Sequence, residues 1–99
     1  MDGSVTIKLK KPLKAHGQPV EEITLREPTA EDITVCGYPL TIGDGVATPV
    51  AGAISKYIAR LADLPPSSIK PMSVDDYNAC MGAVLGFFGN SGEDEKTPD

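Results

Sequence analysis

The chain is poor in the side chains that carry out chemistry. Its 99 residues include no tryptophan, a single histidine, His16, and two cysteines, Cys36 and Cys80. A lone histidine gives general acid–base catalysis no second acid or nucleophile to work with. Two cysteines without a Cys-x-x-Cys pair offer too few ligands for a zinc site and too few bridges for a disulfide framework. His16 therefore reads as a solvated turn residue, and Cys36 and Cys80 as small buried apolar side chains. Gly43-Asp44-Gly45 is followed by no Gly-Lys-Ser or Gly-Lys-Thr and lacks the spaced oxygens of a calcium loop, which leaves a turn. Asp75 and Asp76 are neighbours, and adjacent helical residues point in different directions, so they suit the positive end of a helix better than a paired-acid site. The expectation is a non-enzymatic chain with no catalytic residue, no metal ligand and no cofactor.

Long apolar runs and excess positive charge are missing as well. The longest apolar stretch, residues 82–88, is too short to cross a bilayer, and Met1-Asp2-Gly3-Ser4 lacks the basic-then-apolar order of an export signal. A cytoplasmic location away from membranes is expected. The net charge of −5 argues against non-specific nucleic-acid binding, which needs clustered Lys and Arg on one face. Charge is nevertheless uneven: Lys8, Lys10, Lys11 and Lys14 sit near the start, while Glu93, Asp94, Glu95 and Asp99 crowd the end. The lysines read as guards on a strand edge and the acids as a solubilising tail.

With only two Phe and three Tyr, a chain that is 40% hydrophobic must build its core from Ile, Leu, Val and Met. One small domain over residues 1–88 accounts for it, burying roughly 60–65% of its unfolded surface. Val5, Ile7 and Leu9 alternate with Thr6, Lys8 and Lys10, the period of a strand with one wet face. Pro12 weakens that strand near Lys11. A turn at 15–18, with Gly17 able to take positive φ, leads to a second strand ending at Ile23 and Leu25, in which Val20 has the wrong parity and asks for a bulge or a late start. Pro28 then stops the sheet, and Thr29-Ala30-Glu31-Asp32 has the hydroxyl and acids that open a helix, running to about Cys36.

Gly37, Tyr38 and Pro39 end that helix, and residues 40–48 are the most ambiguous, with Leu40 and Ile42 in a short extended piece before the glycine turn. Thr48-Pro49 reads as an N-cap and first helical residue. Val50, Ile54, Tyr57, Ile58 and Leu61 then recur at helical spacing, until Pro65-Pro66 forbids continuation. Residues 65–72 make a rigid connector from which Ile69 and Met72 can reach the core. Ser73 with Asp76 caps a last helix whose stripe is Val74, Tyr77, Met81, Val84, Leu85 and Phe88. Gly82, Gly86 and Gly89 weaken that helix while permitting close approach of another backbone. Residues 89–99 offer nothing to bury and read as a disordered acidic tail. The fold class is α+β: an N-terminal β-hairpin, a short helix and two longer amphipathic helices. Phe87 and Phe88 are adjacent, so one helical stripe cannot bury both, and one is left for a partner.

Three stretches together resemble a known family. They are Ile23-Thr24-Leu25-Arg26-Glu27-Pro28-Thr29-Ala30-Glu31-Asp32, then Ile58-Ala59-Arg60-Leu61-Ala62-Asp63-Leu64-Pro65-Pro66-Ser67-Ser68-Ile69, and finally Val74-Asp75-Asp76-Tyr77 through Val84-Leu85-Gly86-Phe87-Phe88. In this order they resemble the bacteriophage tail assembly chaperones of Mu-like and related contractile-tailed phages. The resemblance implies a partner in the cytoplasm of the infected bacterium, the long tape-measure protein, held soluble until the tail tube protein assembles around it. It implies absence from the finished virion. A small structural tail or baseplate component is the alternative. Tyr57, Ile69, Met72, Phe87 and Phe88 are the expected partner-binding residues, and a homo-oligomer is compatible with the same surfaces.

Overall fold

Strand β1 (Val5–Ala15) and strand β2 (Gln18–Leu25) form an antiparallel hairpin in the computed structural model, which describes residues 3–96 and the side chains of residues 3–88. The turn is two residues long, and both His16 and Gly17 take positive φ, 55° and 77°, as a type I′ turn requires. β1 therefore runs past Pro12 instead of fading at Lys11, and the hairpin absorbs the proline in a bulge. Lys8 pairs with Glu22 but Leu13 pairs with Val20, so β1 has extra residues where β2 has only Glu21. An odd offset changes parity. It lets Val20 face the core beside Leu13 while Ile23 and Leu25 face it further along.

Helix α1 (Ala30–Cys36) follows the Pro28 seam, with Thr29 as N-cap. The ambiguous stretch is a second hairpin, β3 (Leu40–Gly43) with β4 (Val46–Pro49), closed by Asp44 and Gly45 at φ 54° and 78°. This corrects the reading of Thr48-Pro49 as a helix start. Thr48 pairs with Thr41 and Pro49 with Leu40, and helix α2 (Ala51–Ala62) begins after Val50. The Asp-Gly turn claims four residues on each side for pairing, and Pro49 ends the strand, where a missing N–H costs little. α2 stops in a Schellman arrangement: Asp63 takes the left-handed conformation, and the Leu64 N–H reaches the Ala59 carbonyl at 2.8 Å, just before Pro65.

The connector contains one further helical turn, α3 (Pro66–Ile69), with Pro66 at its start. Helix α4 (Val74–Lys96) opens as its capping signal predicts, the Asp76 N–H bonding Ser73 Oγ at 3.2 Å. Its backbone passes residue 88, where the sequence reading ends the last helix. The side chains of 89–96 and residues 97–99 lie outside the described residues, and the expected acidic tail falls there. Gly82 stands in open space, with no atom within 4 Å of where a Cβ would sit, so no close approach uses it.

The core is continuous. Leu9, Leu13, Ile23 and Leu25 of the first hairpin meet Ile54, Tyr57, Ile58 and Leu61 of α2, and Cys80 and Val84 of α4, with Cys36 and Ile69 at its margin. Both thiols are buried, which pushes their pKa values up, that of Cys80 to about 11. α3 is pinned to β1 by Ser68 Oγ–H donating to the Lys14 carbonyl at 2.8 Å.

Candidate functional site

Two buried acids hold the elements in register. Asp32 is 1% exposed and accepts a two-pronged bond from Arg26, Nη1 at 2.8 Å and Nη2 at 2.9 Å. It also accepts from the Thr29 N–H at 2.7 Å, completing a capping box, and from Arg60 Nε of α2. The Arg26 hydrogen bonds, then those of Arg60 and Thr29, outweigh burial and hold this carboxyl well below the usual carboxylate range. One side chain thus ties the end of β2, the start of α1 and the middle of α2. Asp76 does the equivalent for the bulge. Its carboxylate accepts the N–H groups of Lys10 and Lys11 at 2.9 and 3.0 Å, donors that the broken ladder leaves without strand partners. Those bonds, led by Lys10, lower its pKa as well.

The joint leaves a groove open along one side of α2, with a volume of about 640 Å³. Val35 and Cys36 of α1 line it, together with Leu64, Pro66 and Ile69. Ala59 of α2, Met72 and Tyr77 complete the apolar part of the lining. Tyr77 is fixed by its hydroxyl, 2.9 Å from Ser55 Oγ and 3.0 Å from the Ala51 carbonyl. Lys56, Arg60, Lys70 and Asp63 supply the charges. Arg60 is engaged with Asp32 and Glu31, whereas Lys56 and Lys70 are exposed and form no ion pair among the described residues. The arrangement offers a mostly apolar surface that also carries charge. Among the described residues no three His, Cys, Asp or Glu side chains converge as metal ligands would.

The five residues expected to bind a partner divide between two places. Ile69 and Met72 line the groove. Tyr57 does not: it is fully buried, its hydroxyl donates to the Gly37 carbonyl at 2.5 Å, and it belongs to the core. Phe88 packs edge-on against Tyr57 at 5.5 Å and against Tyr38 at 6.2 Å, and Phe87 is half-buried beside the same core. Sequence reasoning missed Val35, Lys56, Ala59 and Lys70, having followed the apolar stripe of α2 and the connector's Ile69 and Met72. The small residues Cys36 and Ala59 were the available signal, since a trough forms where side chains are short. Away from the groove, Tyr38, Ile42 and Val46 are 65%, 73% and 59% exposed on and beside the second hairpin.

Comparison with known proteins adds one match. The family described as "Phage tail assembly chaperone proteins, E, or 41 or 14" matches residues 6–89, a span that contains both hairpins except Val5, the buried acids and the whole groove. No curated protein and no solved structure matches the chain.

Proposed function

Because the chain belongs to the phage tail assembly chaperone family, we propose that its part in tail assembly is to bind the tape-measure protein and keep it soluble until tail tube protein assembles around it. The protein acts without catalysis, in the cytoplasm of the infected host. The observation that carries this reading is the groove beside α2. Its lining is mostly apolar and also carries Lys56, Arg60, Asp63 and Lys70, which suits reversible capture of an amphipathic client segment. A long helical client exposes apolar stripes that only a partner surface can cover before the tail exists.

Co-expression with the tape-measure protein of the same gene cluster tests it. The expected result is a larger soluble fraction of tape-measure protein and its recovery with the tagged chaperone. Insoluble client with no recovery would overturn the proposal. Placing a charge in the lining, Met72→Glu, is expected to abolish the gain while the chaperone itself stays folded, because Met72 lines the groove and is only partly buried.

A further inference from the structure

The groove's charge and its surroundings specify the client segment more narrowly, on the premise of the client-binding reading above. We propose that the groove receives an amphipathic helix that carries carboxylates beside its apolar stripe.

Secondary structure of the occupant follows from the lining. Every lining residue comes from a helix or the turns between helices, so no unpaired row of strand N–H and C=O groups faces the opening. A segment lying on an apolar lining without such a row must satisfy its own backbone, and a helix does so. The strand edges that could accept an added strand belong to the two hairpins, and neither β1, β2, β3 nor β4 contributes a residue to the groove.

Charge follows from which side chains are free. The chain as a whole carries −5, yet the groove carries Lys56, Arg60 and Lys70 against Asp63 alone. This is a local reversal of sign. Arg60 already faces Asp32, with Glu31 at 3.7 Å, so its charge is used within the fold. Lys56 and Lys70 are the cations left to a partner, both exposed and both lining a mostly apolar groove that a bound helix would dry. Carboxylates beside the client's stripe are attracted there and lysines are repelled, which sets partner choice and association rate more than total affinity. The chain's own end, Glu93 to Glu95, has the right charge but no apolar residue to fill the groove. Met72, unbranched and half-buried, lets the lining adapt to different stripes.

The experiment uses the full chain and two synthetic helical peptides that share one leucine stripe at i, i+3, i+4 and i+7 spacing, one flanked by glutamates and the other by lysines. The glutamate peptide is expected to bind about tenfold more tightly at low salt, the scale of two or three partly screened charge pairs, with the margin shrinking as salt rises. In the Lys56→Glu/Lys70→Glu variant the preference reverses. Unchanged thermal unfolding of that variant is the check on folding, since both lysines are exposed. Equal binding of the two peptides, or tighter binding of the lysine peptide to the unaltered chain, would overturn the inference. So would a change of oligomeric state in the variant, because a second copy would then be the occupant. Tape-measure solubility in the same two backgrounds separates the layers: client rescue by both proteins, with no peptide preference, removes the charge rule and leaves the chaperone reading standing. Failure of rescue by the unaltered chain removes the chaperone reading itself.

Discussion

At the scale of single residues, Asp32 is where the chain is most exposed to damage. Its carboxylate sits between two guanidinium groups and a backbone N–H, at 1% exposure. Removing one partner of a fully buried pair costs about 3–5 kcal/mol, but Arg26 and Arg60 retain 46% and 34% side-chain exposure and can turn to water. Asp32→Asn is therefore expected to cost roughly 2 kcal/mol at pH 7, nearer the penalty of an unmet hydrogen-bonded charge. The pH dependence has a definite sign. A carboxyl whose folded pKa is depressed stabilises fully above its unfolded value, about 4, and that contribution is lost as pH falls toward the folded value. Urea unfolding of the two proteins should show a gap that is widest at pH 7 and narrows between pH 4 and pH 2. A gap independent of pH would mean that Asp32 acts through shape and not through charge.

At the scale of elements, the two hairpins have the same turn but different standing. Gly17 and Gly45 sit at φ 77° and 78°, each with open space where a Cβ would go, so alanine at either position meets only backbone strain. That strain is about 1–2 kcal/mol. The first hairpin contributes Leu9, Leu13, Ile23 and Leu25 to the core, whereas residues 41–49 of the second are all exposed. Gly17→Ala is expected to lower the melting temperature by roughly 5 °C, since for a chain of this size 1 kcal/mol moves it by about 4–8 °C. Gly45→Ala should leave the melting temperature nearly unchanged and instead raise amide exchange across residues 40–49, because an isolated two-stranded hairpin is only marginally stable. An equal loss of global stability in both variants would show that the second hairpin folds as part of the core.

At the scale of the whole molecule, a chaperone and a structural tail component differ in where the protein ends up. Mass spectrometry of purified phage particles is expected to find the tail tube and tape-measure proteins without stoichiometric amounts of this chain. Abundant incorporation would favour the structural alternative.

Much of this molecule was legible in the sequence, and the divide has a physical cause. Period-two alternation around Ile7 and Leu9, the Pro28 stop, the Thr29 cap, the stripe of α2 and the Pro65-Pro66 stop are all set by neighbours within a few residues, and each appears in the fold. The stretch from Leu25 to Asp32 also carried the family resemblance, and it holds two of the three residues of the Arg26–Asp32–Arg60 joint. That Asp32 does more than cap a helix was decided by tertiary structure, because Arg60 arrives from 28 residues away. The same holds for Asp76, whose partners at Lys10 and Lys11 lie 66 and 65 residues off. The second hairpin escaped because Thr48-Pro49 satisfies a helix start locally, and only pairing with Leu40 and Thr41 chooses otherwise. Likewise Tyr57 on its helical stripe and Ile69 in the connector both read as apolar residues able to meet a partner. Both are buried, and packing alone left Ile69 lining the groove as well, since which apolar face stays open depends on what the rest of the chain covers.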